Sequence, residues 1–195
     1  MSQSIWSGNR PKTENEARQR LCEAALICVR NNGLGKTTMS DIAKQAGVAR
    51  PTLYKHFKSK IEIFFAAIDD VAFNFAGQVL EHAREFATFD ERVVEMVIFV
   101  ITELPQHKNL SLVLNDECAV ALRDRAFSGE ATLIFLQMTA EPLLELRPAL
   151  AEQATEITEI MSRFSLSMIL FPGKYANDHD KLRALIQRRL LPGLQ

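Results

Sequence analysis

Apolar residues recur three and four positions apart along most of the chain, and alternating runs of β-branched residues are absent. This period is typical of α-helices that bury one face. The longest such stretch covers residues 61–86, which is about seven turns at 3.6 residues a turn. The pattern therefore predicts an all-α protein of about nine helices.

Helix breakers and capping residues place the predicted helix ends. Asn31, Asn32 and Gly33 stop the first helix, because glycine readily adopts the left-handed backbone that follows a last helical turn. Proline serves to open a helix or to stop or kink one, and serine or aspartate serves as an N-cap. Pro148 is predicted to open a helix, and Ser128 and Asp178 are predicted N-caps. The residues predicted to stop or kink a helix are Pro105, Pro142, Pro172 and Pro192.

Residues 37–62 contain the clearest local pattern. Thr38 is a good N-cap, and Asp41 three positions later completes a capping box. Gly47 follows the last turn of that helix, and Pro51 lies in the first turn of the next one. Two short helices joined by a glycine turn make a helix-turn-helix. Ser59 and Glu62 predict a second capping box for the long helix.

The second of these short helices, over residues 50–56, is too short to be stable alone, so packing must hold it. Leu53 and Phe57 are its predicted buried residues. The outward-facing side chains are a guanidinium, two hydroxyls, an ammonium and an imidazole, from Arg50, Thr52, Tyr54, Lys55 and His56. These groups suit a major groove and its phosphates. The alternative is a helical hairpin with a solvated polar face.

Charge is divided unevenly along the chain, although the net charge is only −1. Residues 1–60 hold 11 Lys and Arg against 4 Asp and Glu, a balance of +7. Residues 61–195 hold 12 against 20, a balance of −8. A basic head on an acidic body favours a polyanionic partner for the head alone.

Composition excludes several classes of protein. With 47% hydrophobic residues the chain can build a sizeable core, and no apolar run predicts a membrane span or a signal peptide. Cys22, Cys28 and Cys118 form no paired framework, which fits a reducing cytosol. A phosphate loop, zinc spacing, nucleophile elbow or Cys–His pair is not evident, so we expect no enzyme activity, no metal and no cofactor.

The residues of the helix-turn-helix resemble the DNA-binding signature of the tetracycline-repressor (TetR) family. The match covers roughly residues 13–65. Ala49 departs from the family pattern, which usually has Ser or Thr at this cap position. The matching residues are Thr38, Ile42, Ala43, Ala46, Gly47, Val48, Thr52, Leu53, Tyr54, His56, Phe57, Ser59 and Lys60.

The resemblance implies an all-α homodimer. It divides the chain into a DNA-binding helix-turn-helix domain over residues 1–58 and a helical ligand-binding and dimerisation domain over residues 59–195. The expected function is that of a cytoplasmic transcriptional regulator, a repressor that a small apolar or amphipathic effector releases from a palindromic operator. The long helix belongs to both domains, so a bound effector could alter the spacing of the two recognition helices.

Roles in DNA binding are predicted for nine residues. Arg50 is the best candidate to read a base edge, because its fork matches guanine O6 and N7. The others are expected at thymine methyls, bases or phosphates. They are Thr38, Ser40, Pro51, Thr52, Tyr54, Lys55, His56 and Lys60.

Two further sets of residues are predicted in the acidic body. Large apolar side chains with a few polar neighbours could line an effector pocket, or equally fill a core. The predicted pocket residues are Met96, Phe99, Asn115, Phe135, Gln137 and Met138. The last two long helices carry apolar stripes for a dimer seam, unless both pack within one subunit. The predicted interface residues are Phe164, Ser165, Met168, Leu185 and Ile186.

Two other kinds of DNA-binding protein remain open at this stage. One is an architectural protein without an effector, which would show no preferred palindrome. The other is a redox-responsive regulator that uses Cys22 and Cys28. Their six-residue separation places them on different faces of the first helix, which makes a core role the better interpretation.

Overall fold

The computed structural model describes residue 11, residues 13–115, residue 118 and residues 130–194, with side chains in the last range from residue 136 onward. These residues form eight α-helices and no β-strand, which confirms the all-α prediction. The helices are α1 (Glu14–Lys36), α2 (Met39–Ala46), α3 (Arg50–His56), α4 (Lys60–Arg84), α5 (Phe89–Glu103), α6 (Glu130–Leu144), α7 (Ala154–Leu170) and α8 (His179–Leu185).

Short helical turns of other kinds complete the described chain. A 3₁₀ turn covers Leu110–Leu114, and another, Pro148–Gln153, leads directly into α7. After α8 a π-helical turn, Ile186–Leu190, is followed by a 3₁₀ turn, Leu191–Leu194. The predicted cap at Ser128 lies outside the described residues.

Several predicted helix ends are present. Helical geometry in α1 breaks at Gly33, which has φ 78° and ψ 159°. The Asp178 carboxylate accepts a hydrogen bond from the Lys181 amide, which caps α8. Pro142 lies inside α6, and the helix ends two residues later at Leu144. Proline has no amide to donate, glycine adopts positive φ angles at little cost, and aspartate accepts from free amides at a helix start.

The described residues fall into two compact units, and the division lies within α4, between Val71 and Ala72. The first unit contains α1, α2, α3 and the beginning of α4. Its largest fully buried side chains are Leu21, Ile42, Leu53, Phe57, Ile63 and Phe64. The second unit contains the rest of α4 and the later helices, and its core includes Val93, Val94, Val97, Leu136, Leu182 and Ile186.

Helix α4 is, among the described helices, the one whose length and composition would suffice to cross a membrane. Half of its apolar stretch is buried inside the protein, and Asp69 and Asp70 lie within that stretch. The core helix of a globular protein meets the same criteria of length and composition.

Candidate nucleic-acid interface

Helix α2 begins at the predicted capping box. The Thr38 hydroxyl accepts from the Asp41 amide at 3.2 Å, and the Asp41 carboxylate accepts from the Thr38 amide at 3.0 Å. The Thr38 hydroxyl proton is donated to the same carboxylate at 2.6 Å. These hydrogen bonds, first from the Thr38 side chain and then from its amide, lower the pKa of Asp41. The box therefore fixes the first turn of α2.

The turn between α2 and α3 depends on Gly47, which has φ 68° and ψ 37° in the left-handed region. The Val48 amide donates to the Ala43 carbonyl at 2.9 Å, and the Gly47 amide donates to the Lys44 carbonyl at 3.1 Å. This pattern satisfies carbonyls at the end of α2 and redirects the chain sharply. The glycine turn of the predicted helix-turn-helix is thus present.

Helix α3 is held by packing rather than by its cap. Ala49 makes no side-chain cap hydrogen bond, as its methyl group dictates. Leu53 has no exposed surface and Phe57 is 1% exposed. The Arg18 guanidinium of α1 lies 4.3 Å from the centre of the Phe57 ring and covers it. Two buried anchors thereby hold the seven-residue helix in place.

The outer face of α3 presents Arg50, Tyr54 and Lys55, all exposed. The Arg50 Nη2 donates to Tyr54 Oη at 3.1 Å, and its guanidinium carbon lies 5.4 Å from the centre of the Tyr54 ring. Since the two residues are four apart on one helix, their side chains lie on the same face. This pairing restricts the orientation of the Arg50 guanidinium in the free protein. The sequence analysis did not predict the contact.

The start of α4 differs in part from the predicted capping box. The Glu62 amide donates to the Ser59 hydroxyl at 3.1 Å, as expected. The Glu62 carboxylate, however, accepts from the Lys58 amide at 2.7 Å rather than from the Ser59 amide. The Glu62 carboxylate therefore caps the amide of Lys58, one residue before the predicted partner.

Lys60 occupies the first position of α4, where the sequence predicted a phosphate contact. Its ammonium instead donates to the carbonyls of Leu34, Gly35 and Thr37 at 2.8, 2.8 and 2.9 Å. An ammonium has three N–H donors, so this arrangement leaves none for a phosphate. The sequence could not show this, because the acceptors lie more than twenty residues away in the chain.

The remaining predicted DNA-contact residues divide by exposure. Ser40, Arg50, Pro51, Tyr54 and Lys55 are exposed, whereas Thr52 and His56 are half-buried. Thr38 is exposed, but its hydroxyl already donates a hydrogen bond to the Asp41 carboxylate. The structure therefore exposes most of the predicted residues of α3 and brings Arg50 and Tyr54 together, and the roles of all of them in DNA binding stay predictions.

Comparison with known proteins identifies this arrangement. The model of the bacterial regulatory proteins of the tetR family matches residues 21–67, which include α2, the glycine turn and α3. Residues 21–67 are thus similar to the DNA-binding segment of the TetR family. The resemblance read from the sequence is thereby confirmed.

Curated relatives match over part of the chain. The fatty acid metabolism regulator protein of Bacillus subtilis is 31% identical over 94 residues, which cover 48% of each chain. The HTH-type transcriptional regulator AcrR of Shigella flexneri is 30% identical over 95 residues, covering 47% of this chain and 44% of AcrR. The chain thus spans about half the length of the curated relatives it matches.

A solved structure extends the likeness in fold to nearly the whole chain. The TetR-family repressor AlkX from Dietzia, implicated in biodegradation of n-alkanes, aligns over 96% of this chain and 98% of its own, with a TM-score of 0.63. The two sequences are 22% identical over this alignment. The comparison therefore supports the fold beyond the DNA-binding segment.

The second unit contains a buried carboxylate that sequence reasoning missed. Glu95 of α5 is 8% exposed and accepts a hydrogen bond from Arg183 of α8. His82 of α4 lies 4.0 Å from the other Glu95 oxygen and stacks on Phe99, with ring centres 4.8 Å apart. The available signal was a charge among the apolar residues of α5, which usually requires a partner.

Arg92, one turn before Glu95, is a second buried charge in α5. It donates to the Phe86 carbonyl at 3.0 Å, to Glu145 at 2.7 Å and to the Pro142 carbonyl. Arg84 of α4 also binds Glu145, at 2.9 Å. Hydrogen bonds from Arg92 first, and then from Arg84, lower the pKa of Glu145. This cluster ties α4, α5 and α6 together.

The predicted pocket residues do not share one environment. Met96 is buried and Phe99 half-buried on α5, which packs against α6, where Met138 is half-buried. Gln137 is exposed, and exposed Asn115 belongs to the first unit. The Phe135 side chain lies outside the described part of the chain. Of the predicted pocket residues, Met96, Phe99 and Met138 are therefore the ones compatible with a single apolar site.

The predicted interface residues also divide. Ser165 is 2% exposed and donates to the Met161 carbonyl at 2.8 Å, while Ile186 has no exposed surface. Both face the core of their own chain, so neither is placed to contact a partner. Phe164, Met168 and Leu185 keep part of their surface exposed.

The cysteines of the alternative redox hypothesis are buried. Burial, followed by the nearby Asp70 charge, raises the pKa of Cys22 to about 12, and burial also raises the pKa of Cys28. Since the thiolate is the reactive form, these environments suppress oxidation. The observation favours the core role for both residues.

Proposed function

We propose that this protein is a DNA-binding transcriptional regulator of the TetR family that reads an operator with helix α3. The observation that carries the proposal is the exposed face of α3, where Arg50, Tyr54 and Lys55 project from a helix fixed by Leu53, Phe57 and the Gly47 turn. A helix diameter of about 10–12 Å matches the major groove of about 12 Å. The protein is proposed to act in the cytoplasm.

Within this face, Arg50 is the proposed base-reading residue. Its guanidinium matches the two acceptors of guanine in the major groove. Ser40, Lys55 and His56 are proposed to contact phosphates, and Pro51 and Thr52 thymine methyls or backbone. Phosphate contacts fix register and orientation, whereas base contacts supply specificity.

A palindromic operator requires two copies of the chain related by a twofold axis. We assign the homodimer contact to an apolar stripe that runs along α7 through Ile160, Phe164 and Met168 and ends at Phe171, the residue that follows the helix. Ile160 is 37% exposed and Phe171 is 78% exposed. A second copy would bury this stripe against its equivalent, as an isologous interface demands.

A small apolar or amphipathic effector is proposed to bind in the second unit. The support is a group of aromatic rings on α4 and α5 in which Phe99 lies beside His82 and 5.8 Å from Phe75. Met96 and Met138 supply adaptable apolar surface on the neighbouring helices. Because α4 contributes to both units, an effector with different affinities for two positions of α4 would release the operator and relieve repression.

Selection of operators from a random duplex pool tests the function directly. The expected result is a palindrome whose half-sites lie about 34 Å apart or a multiple of that distance. An architectural protein would instead bind all duplexes alike, and that outcome would exclude sequence-specific regulation. Mild peroxide should leave affinity for the selected site unchanged; a loss reversed by reductant would favour the redox alternative.

The recovered operator then allows a search for the effector. The relative named for fatty acid metabolism suggests a first panel of long-chain fatty acids and their thioesters. An effector should lower operator affinity in the wild-type chain and act more weakly on Phe99→Ala. Release that is equal in the two proteins would place the effector elsewhere.

A further inference from the structure

The ammonium of Lys60 joins three parts of the first unit at one point. Lys60 begins α4, while its acceptors Leu34 and Gly35 lie in the last turn of α1 and Thr37 lies between α1 and α2. The three distances are between 2.8 and 2.9 Å, which is the normal range for charge-assisted hydrogen bonds.

These carbonyls need such a partner. The last carbonyls of a helix have no intrahelical donors, and they carry the negative end of its dipole. Gly33 breaks the helical geometry of α1 three residues before its end, so residues 34–36 form a short final turn. The Thr37 amide and hydroxyl both donate to the Gly33 carbonyl, at 3.2 and 2.7 Å. Lys60 supplies donors to the carbonyls that follow.

The position of this contact links it to the recognition elements. Thr37 is 1% exposed and directly precedes Thr38, the N-cap of α2. The direction in which α2 leaves the junction therefore depends on the place of the Thr37 peptide group. Helix α3 follows α2 through the fixed Gly47 turn, so its orientation depends on the same junction.

We propose that Lys60 is a positioning residue, which locks the start of α4 to the α1–α2 junction and thereby orients α2 and α3 for DNA. It acts through these backbone carbonyls and not through a phosphate. The inference rests on the proposed function for its binding measurements alone, since the lock itself can be tested without DNA.

Three variants of the full chain separate the two roles. Lys60→Met keeps the aliphatic stem and removes the donors. Lys60→Arg keeps the positive charge, but a planar guanidinium cannot aim at three carbonyls as a compact ammonium does. Lys58→Met removes an exposed lysine side chain two residues earlier and serves as the matched control.

Measurements without DNA come first. Lys60→Met is expected to lower the Tm by about 4–8 °C, and Lys60→Arg is expected to lower it as well. Lys58→Met should stay within about 1 °C of wild type. In hydrogen exchange, Lys60→Met should lose protection in residues 33–46 while peptides from the second unit keep theirs. A uniform loss of hydrogen-exchange protection across the chain, or an unchanged Tm in Lys60→Met, would contradict the positioning role of Lys60.

Binding to the selected operator is then measured against salt concentration, at a temperature where each variant is folded. Both Lys60 variants are expected to bind about 10-fold more weakly with the wild-type salt slope. A phosphate contact would instead reduce the slope by about 0.9 per contact in Lys60→Met and leave Lys60→Arg near wild type. That second pattern would refute the positioning role. If the wild type selects no operator, the proposed function fails, whereas the Tm and exchange results still decide the lock.

Discussion

Arg50 offers five N–H donors on a planar fork, and one of them already binds Tyr54 in the free protein. A side chain that is partly ordered before binding loses less conformational entropy when it meets a base. The pair on α3 therefore connects local helix geometry, in which residues four apart are neighbours, with the base reading proposed for Arg50.

We expect Arg50→Ala to weaken operator binding by about 1–3 kcal/mol and to relax preference at one base pair in each half-site. The reason is the loss of a bidentate contact to a base edge. The measurement is a titration of the selected operator and of duplexes substituted at each position. Unchanged affinity for the selected operator would exclude base reading by Arg50.

Tyr54→Phe separates positioning of Arg50 from a phosphate contact. Phenylalanine keeps the ring under the guanidinium but removes the acceptor oxygen. We expect weaker discrimination at the base pair read by Arg50, and little further effect of the change in an Arg50→Ala background. Additive losses in this double-mutant cycle would indicate that Tyr54 contacts DNA independently.

At the scale of single residues, the sequence was sufficient to predict a local structural role where that role depends on residues close by in the chain. Thr38, Asp41 and Gly47 act within a few positions of themselves, so their types and spacing determined the outcome. Lys60 and Glu95 bind partners 23 and 88 residues away. Local patterns cannot show such contacts, so the three backbone partners of Lys60 were not predicted beside its phosphate role.

Among the elements, α3 is a short helix that depends on packing rather than on a side-chain cap. Its cap residue, Ala49, has extended backbone angles of φ −70° and ψ 142°, which suit an N-cap. The side chain nevertheless supplies no acceptor. Packing of Leu53 and Phe57 compensates, which explains how a seven-residue helix persists despite an unfavourable cap.

Ala49→Thr is expected to stabilise the chain by about 0.5–1 kcal/mol, because the hydroxyl can accept from amides in the first turn of α3. Ala49→Val has nearly the same shape without the acceptor and is the matched control. Urea unfolding measures the difference between the two. Equal stability of the Thr and Val variants would contradict a capping contribution at this position.

The capping box of α5 predicts a dependence of stability on pH. Hydrogen bonds from the Thr88 hydroxyl, and then from its amide, lower the pKa of Glu91 below its usual 4.5. A depressed folded-state pKa adds stability above the unfolded value, and this stability is lost as pH falls through the folded value. Stability should therefore decline below about pH 4.5.

Glu91→Gln should remove part of this acid-induced decline, because the amide does not titrate. The measurement is Tm as a function of pH between about 7 and 3 for wild type and variant. Glu85→Gln, at an exposed position outside the box, is the control. Parallel curves for wild type and Glu91→Gln would show that the box does not contribute to the acid transition.

For the whole molecule, helical period and breakers predicted the class and most helix ends, since both depend on short-range spacing. The partner of each apolar stripe was not predictable in this way. Ser165 and Ile186 lie on stripes that the period marks as apolar, yet their own chain buries them. The period identifies a buried face but not which surface covers it, so the interface had to be reassigned to residues that remain exposed.

Phe171 provides the test of that reassignment. At 78% exposure it is the most exposed of the large apolar side chains described, and it ends the stripe on α7. Phe171→Glu places a charge where a second copy would bury apolar surface, and an unpaired buried charge is costly. We expect the variant to sediment as a 22.0 kDa monomer and the wild type to sediment with twice that mass.

The functional consequence follows from symmetry, because a monomer can occupy only one half-site of a palindrome. Phe171→Glu should therefore bind the full operator and an isolated half-site with similar affinity, while the wild-type dimer prefers the full operator. Leu146→Glu, at another exposed apolar position, should remain dimeric and keep that preference. If Phe171→Glu kept the wild-type mass and preference, the dimer contact would lie on another surface, and the requirement for two recognition helices would have to be met there.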